Sequence, residues 1–118
     1  IITKRHSSHF IRGLFDGDGC VMIWREPRWK HTWQIRTSFT SGSQIFLQDL
    51  RMYLGIWAVL LLGKVSPITR GHHLRYLSMP ECAALYKFMY RGNPKVYLKR
   101  KKDKFELFLA LKNQEISN

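Results

Sequence analysis

Apolar positions along this chain change period several times, and each change marks an element. Phe10 pairs with Leu14 and Ile11 with Phe15 at helical spacing, so a first helix carries two apolar faces and must bury both. Ser7 or Ser8 is placed to cap its start, and it is expected to run to about Asp16. After Gly19 the period drops to two. "CVMIWRE" reads as a strand, "PRWK" as a turn and "HTWQIRTSFTS" as a second strand. In that second strand Trp33, Ile35, Thr37 and Phe39 face one way, while Thr32, Gln34, Arg36, Ser38 and Thr40 face the other. Ser43 then caps a second helix, "QIFLQDLRMYL", closed by Gly55, with Ile45, Leu50 and Leu54 at core positions and Leu47 alongside. Residues 56–62 fit no period and are read as a tight junction into a third strand around 64–69. Arg70-Gly71 with His72 turns the chain into a fourth strand, "HLRYLSM". Pro80 and Glu81 open a third helix, Gly92-Asn93-Pro94 breaks it, and a last helix covers about 96–111.

This order predicts an α+β fold with a four-stranded antiparallel sheet and helices on one face, the other face being free to dock on something. At 118 residues one domain spanning 1–118 is expected. Charge narrows what the free face meets. Lys and Arg number 20 against 8 Asp and Glu, a formal net charge of +12. Such an excess calls for a polyanion, either nucleic acid or an anionic membrane. No apolar run is long enough to span a bilayer; "IWAVLLLG" is the longest. Cys20 and Cys82 define no disulfide framework, and the N-terminus has no signal-peptide core, which together predict an intracellular, reducing compartment.

The chemistry concentrates in "FIRGLFDGDGCV", residues 10–21. Asp16 and Asp18 stand at a helix C-terminus, where the macrodipole disfavours negative charge. A divalent cation offsets that cost; so do capping hydrogen bonds to nearby backbone N–H groups. An EF-hand calcium loop fails, because Cys20 and Pro27 stand where oxygen ligands are required. Gly13 and Gly17 lie four apart, a spacing that lets a second backbone approach closely or simply ends the helix; Gly13 fits the second reading poorly, since glycine inside a helix costs stability.

"IRGLFDGDG" resembles the nine-residue signature of the LAGLIDADG homing endonucleases. Gly13, Leu14, Asp16, Asp18 and Gly19 are identical to it; Ile11, Phe15 and Gly17 are close replacements, and Arg12 replaces an alanine. "IRTSFTSGSQIFLQDLRMYLG" is similar to the family's second strand and second helix, and "YLKRKKDKF" to its basic C-terminal segment. The element order also resembles the family's αββαββα core. The resemblance implies site-specific, metal-dependent cleavage of double-stranded DNA at a long, roughly palindromic target. It implies a homodimer packed through Phe10, Gly13, Leu14 and Gly17. It implies Mg²⁺ or Mn²⁺ held by Asp18 and the backbone carbonyl of Gly17, with Asp16 holding the turn. Lys101 matches the family's lysine near the active site, with Lys99 as the other register. Ser41 stands near the position of a polar residue that is commonly Gln in the family. Such a set is chemically coherent, because carboxylate-held cations neutralise phosphate charge and activate water.

DNA contacts are then expected from Arg25, Arg28 and Lys30 around the first turn, and from Gln34, Arg36, Ser38, Thr40 and Ser41 on the second strand. Lys64, Ser66 and Arg70 on the third strand and Arg75 on the fourth add to them. Arg and Gln suit base edges, while Ser and Lys more often meet phosphates. Lys99 and Lys102 are assigned to the backbone, although a solvated charge run is the plain reading of Lys102 and Lys104. The rival function is a non-cleaving DNA-binding regulator or an RNA-binding intron maturase on the same scaffold. A small basic protein of membrane surfaces or ribosomes needs neither the motif nor the strand alternation.

Overall fold

The computed structural model describes residues 4–29, 32–92, 94–95 and 97–117; Lys30, Asn93 and Val96 lie outside the described residues. The elements run α1 (Lys4–Asp18), β1 (Gly19–Glu26), a 3₁₀ turn (Pro27–Trp29), β2 (Thr32–Ser41), α2 (Gln44–Trp57), β3 (Lys64–Ile68), β4 (Gly71–Tyr76), α3 (Met79–Tyr90) and α4 (Lys99–Ser117). The strands form one antiparallel sheet in the order β1-β2-β4-β3. All four helices contribute to a core on one side of it.

Alternation within the strands decides which side is covered. Val21 on β1, Ile35, Thr37 and Phe39 on β2, and Leu74 and Tyr76 on β4 are buried. They meet Ile11 and Phe15 from α1, Leu47, Leu50 and Leu54 from α2, Cys82, Leu85 and Met89 from α3, and Phe105 and Phe108 from α4. Phe15 sits at the centre, its ring 5.9 Å from that of Phe39 and 5.5 Å from that of Phe105. Each such side chain contributes about 1.5–3 kcal/mol through burial.

Several boundaries differ from the sequence expectation. Helix α1 begins before the serines, and Ser7 and Ser8 are buried within it, one and two turns before Ile11, Arg12 and Phe15. They are the narrow end of its packing stripe, not caps. Ser43 does cap α2, its Oγ accepting from the Phe46 N–H at 3.1 Å, but the helix passes through Gly55 to Trp57. Ile45 is 76% exposed, because the buried set Leu47, Leu50 and Leu54 fixes a helical phase that turns it outward. The 58–63 junction contains Val59 at φ 56° and buries Leu60 alone among its large aliphatic residues. Arg70 stands in the β3–β4 turn, ahead of Gly71 at φ 150°, and not on a strand. The last helix begins at Lys99 and reaches Ser117.

Candidate active site

Among the described residues, the hydrogen bonds that fix the C-terminal end of α1 come from one side. Asp16 Oδ2 accepts the backbone N–H of Leu98 at 3.1 Å, tying α1 to the segment that leads into α4. Lys101 reaches in beside it. Its ammonium donates to the carbonyls of Phe15 at 2.8 Å, Asp16 at 3.0 Å and Gly19 at 2.7 Å, and lies 5.3 Å from the centre of the Phe15 ring. A helix end leaves carbonyls without intrahelical partners, and a cation there also opposes the macrodipole. Burial, aided by the like charge of Arg100, holds the Lys101 ammonium below the usual lysine range; Asp16 and Asp18 work the other way. Gly19 makes this junction possible, since a Cβ there would collide with the Phe15 ring and backbone. One turn earlier Arg12 is buried and donates to the Met89 carbonyl at the end of α3, at 2.9 Å, with its other nitrogen 2.7 Å from His9 Nδ1.

The opposite side of α1 is open. Phe10 is 39% exposed, Leu14 is half-buried, and Gly13, Gly17 and Asp18 are exposed. A Cβ at Gly13 or Gly17 would meet nothing within 4 Å. The expectation that both apolar faces are buried therefore holds within one chain for Ile11 and Phe15 alone. Beside Asp18 lies a hollow of about 620 Å³ walled by Leu14, Thr40, Ser41, Gly42, Ser43, Phe46 and Arg70. The Ser41 hydroxyl is engaged there as an acceptor for the Ser43 N–H at 3.0 Å. Among the described residues no group of three or more His, Cys, Asp or Glu is gathered to hold a metal ion. One chain offers the Asp18 carboxylate and, outside the grip of Lys101, the Gly17 carbonyl.

The helix-free face of the sheet carries the predicted polar residues in register. Cys20, Ser38, Arg75 and Lys64 lie opposite one another across the four strands. Thr40, His73 and Ser66 form the next row, and the pairs Met22–Arg36 and Trp24–Gln34 extend the face toward the first turn. Directly opposite residues share a face, so this is one continuous polar surface. Arg36 rests on Met22, its Nη2 2.7 Å from the thioether sulfur. Ser38 is only 7% exposed, in the middle of the sheet between longer neighbours. His73 is an addition to the expected contacts. It opens the expected fourth strand, and the alternation of β4 places it on the same face as Arg75. Burial and the nearby Arg75 and Arg36 hold its imidazole below the ordinary 6.5.

Four assigned cations have partners within the chain, and one of them, Arg25, lies on the helix side of the sheet. Arg25 shares the parity of Val21 and Ile23 and lies over the Trp33 ring at 5.4 Å, on the helix side beside Gln114 and Glu115. Arg28 pairs with Glu26 at 2.9 Å, although it stays largely exposed. Lys99 pairs with Asp103 at 2.7 Å. Lys102 faces Glu106 at 3.6 Å and lies over the rings of Tyr90 and Tyr97.

By sequence, no family model matches the chain, and no curated protein does. By structure the likenesses are extensive. The archaeal intron-encoded homing endonuclease I-Vdi141I, complexed with DNA, superposes with a TM-score of 0.73 over 98% of this chain and 72% of that one, at 14% identity. The homing endonuclease I-CvuI, in complex with the I-CreI target, gives 0.68 over 92% and 68%, at 15% identity. The LAGLIDADG meganuclease I-AabMI, bound to uncleaved DNA, gives 0.68 over 94% of this chain and 39% of that one, at 24% identity. At these identities the likeness concerns the fold: the chain has the α+β architecture of LAGLIDADG homing endonucleases, an αββαββα core followed by α4.

Proposed function

We propose that this chain is a site-specific DNA endonuclease that works as a homodimer. The observation that carries the reading is the exposed carboxylate of Asp18, held at a rigidly anchored helix end. Beside it runs a polar, cation-bearing sheet face. A twisted antiparallel sheet follows a major groove, and Gln34, Arg36, Arg75 and His73 suit base edges while Lys64, Ser66 and Thr40 suit phosphates. Solved structures of the same fold are described as bound to DNA. Arg25 drops out of the contact set, and Lys99 and Lys102 count for less, because their charge is already engaged.

The open side of α1 suits a second copy. Phe10 and Leu14 are left partly uncovered, and the bare helix backbone at Gly13 and Gly17 admits close packing. Two-fold symmetry would then bring two Asp18 side chains and two half-sites together. One chain supplies only part of a metal's ligands, yet the donors fit: a carboxylate and a carbonyl are hard oxygens of the kind Mg²⁺ and Mn²⁺ prefer. The remainder would come from the second copy and from phosphate oxygens. When bound, a divalent ion supplies Lewis-acid neutralisation of the phosphate and a more acidic water. Lys101 acts by holding the Phe15, Asp16 and Gly19 carbonyls, which keeps Asp18 in place.

That same commitment favours a second reading, a non-cleaving nucleic-acid binder. A lysine with all three donors occupied, and a Ser41 hydroxyl turned to its own loop, leave fewer groups for proton transfer. Incubation with a randomised duplex library and Mg²⁺ or Mn²⁺, followed by sequencing of cut ends, separates the two. Ends converging on one long, roughly palindromic sequence support the endonuclease. Enrichment of bound duplex with no cut ends supports a DNA binder, and no retention of DNA contradicts the endonuclease and the DNA-binding form of the second reading.

A further inference from the structure

Arg100 and Lys104 are the basic residues at the start of α4 that no role above absorbs. Lys99 and Lys102 are paired with Asp103 and Glu106, and Lys101 is spent on carbonyls. Arg100 and Lys104 are exposed and have no ion pair or hydrogen bond among the described residues. At i and i+4 they project from one side of the helix, a like-charge arrangement that disfavours the helix in isolation. Together with Lys101 they wall a hollow of about 140 Å³ whose other wall is Gly19, Cys20 and Val21. That wall belongs to β1, an edge strand, and it begins one residue after Asp18. Gly19 and Cys20 are small, so nothing bulky closes the approach. Asp18 lines the hollow that holds Arg70, and the hollow with Arg100 and Lys104 begins at the next residue, Gly19.

We propose that Arg100 and Lys104 form a phosphodiester clamp at the free edge of β1, gripping the DNA strand on the far side of Asp18 from Arg70. The proposal rests on the DNA-binding reading and names the strand's path past Asp18. The two cationic hollows would seat the phosphates on either side of the one that lies over the carboxylate. The guanidinium suits bidentate contact with phosphate oxygens, and the lysine adds a point charge.

The test measures affinity for a fluorescent mixed-sequence duplex against salt concentration, with EDTA present. Arg100→Gln with Lys104→Gln should flatten the slope of log K against log salt by about 1.8, or 0.9 for each phosphate no longer neutralised. Lys99→Gln with Lys102→Gln should change it by less than half as much. Cys20 supplies a local reporter, because Cys82 is buried and Cys20 is exposed. Duplex should slow iodoacetamide labelling of Cys20 in the wild type and protect it less in the Arg100/Lys104 variant. An unchanged slope in that variant, a larger flattening in the Lys99/Lys102 variant, or unaltered Cys20 protection overturns the clamp. A wild type that fails to bind the duplex overturns the DNA-binding reading itself and the clamp with it.

Discussion

The two sides of α1 meet opposite fates within the same nine residues. On one side Ile11, Arg12, Phe15 and Asp16 reach the sheet, the end of α3 and the segment before α4. On the other side Phe10, Gly13, Gly17 and Asp18 reach solvent. Asp16 and Asp18 lie about 200° apart around a helix of 3.6 residues per turn, which is why one is tied down and the other presented. A helix that must both belong to a core and offer a reactive carboxylate separates those duties by phase. Its exposed side is usable only because its buried side is over-determined.

Substitutions can break that contrast. Phe15→Ala should cost about 3–5 kcal/mol, since it removes the ring that joins α1, β2 and α4. Phe10→Ala should cost the isolated chain under about 1 kcal/mol. Urea denaturation at low protein concentration measures both, and equal costs would erase the distinction between the sides. Lys101→Met leaves three carbonyls at the end of α1 without their cation and should cost about 2 kcal/mol, with faster hydrogen exchange around Gly19 and Cys20. Gly13→Ala should stabilise a monomer by about 0.8–1 kcal/mol through helix propensity, because the added methyl meets open space. Gly13→Leu should abolish dimerisation in sedimentation while the far-UV spectrum stays folded. A Gly13→Leu protein that dimerises as strongly as wild type would show that the exposed side of α1 is not the interface.

The smallest expected effect is on the sheet face. His73 has a folded pKa below 6.5, lowered first by burial and then by Arg75 and Arg36. The unfolded state therefore takes up the proton first, and stability should decline as pH falls from about 6.5 toward the lower folded value. His73→Gln should flatten that decline. Phosphates on the face would favour the imidazolium, so duplex binding should tighten over the same window in wild type and not in the variant. Histidine titration by NMR, free and bound, checks the sign.

Much of this was legible in the sequence for identifiable reasons. The alternation Trp33, Ile35, Thr37, Phe39 fixed which side of β2 is covered, and Ser43 marked the start of α2. What resisted depended on neighbours distant in the chain. Ser7 and Ser8 look like caps until the side chains that bury them are known. Arg25 is a different case: its parity with Val21 on the same strand was readable in the sequence and puts it on the covered side of β1. Lys101 sits in a run of cations that only its reach to Phe15, Asp16 and Gly19, more than 80 residues away, sets apart. The 56–62 stretch has no period because α2 continues into it and then breaks at a positive φ.

The central claim is that α1 is anchored so that Asp18 can serve cleavage. Its most direct test compares wild type with Asp18→Asn on the duplex selected from the randomised library, measuring binding in EDTA and strand cleavage in Mg²⁺. The account predicts binding at least as tight as wild type, because a repelling charge has gone, with stability within about 0.5 kcal/mol. It predicts cleavage slower by roughly two to three orders of magnitude, about the effect of removing a principal transition-state interaction. Cleavage by Asp18→Asn at the wild-type rate would contradict it.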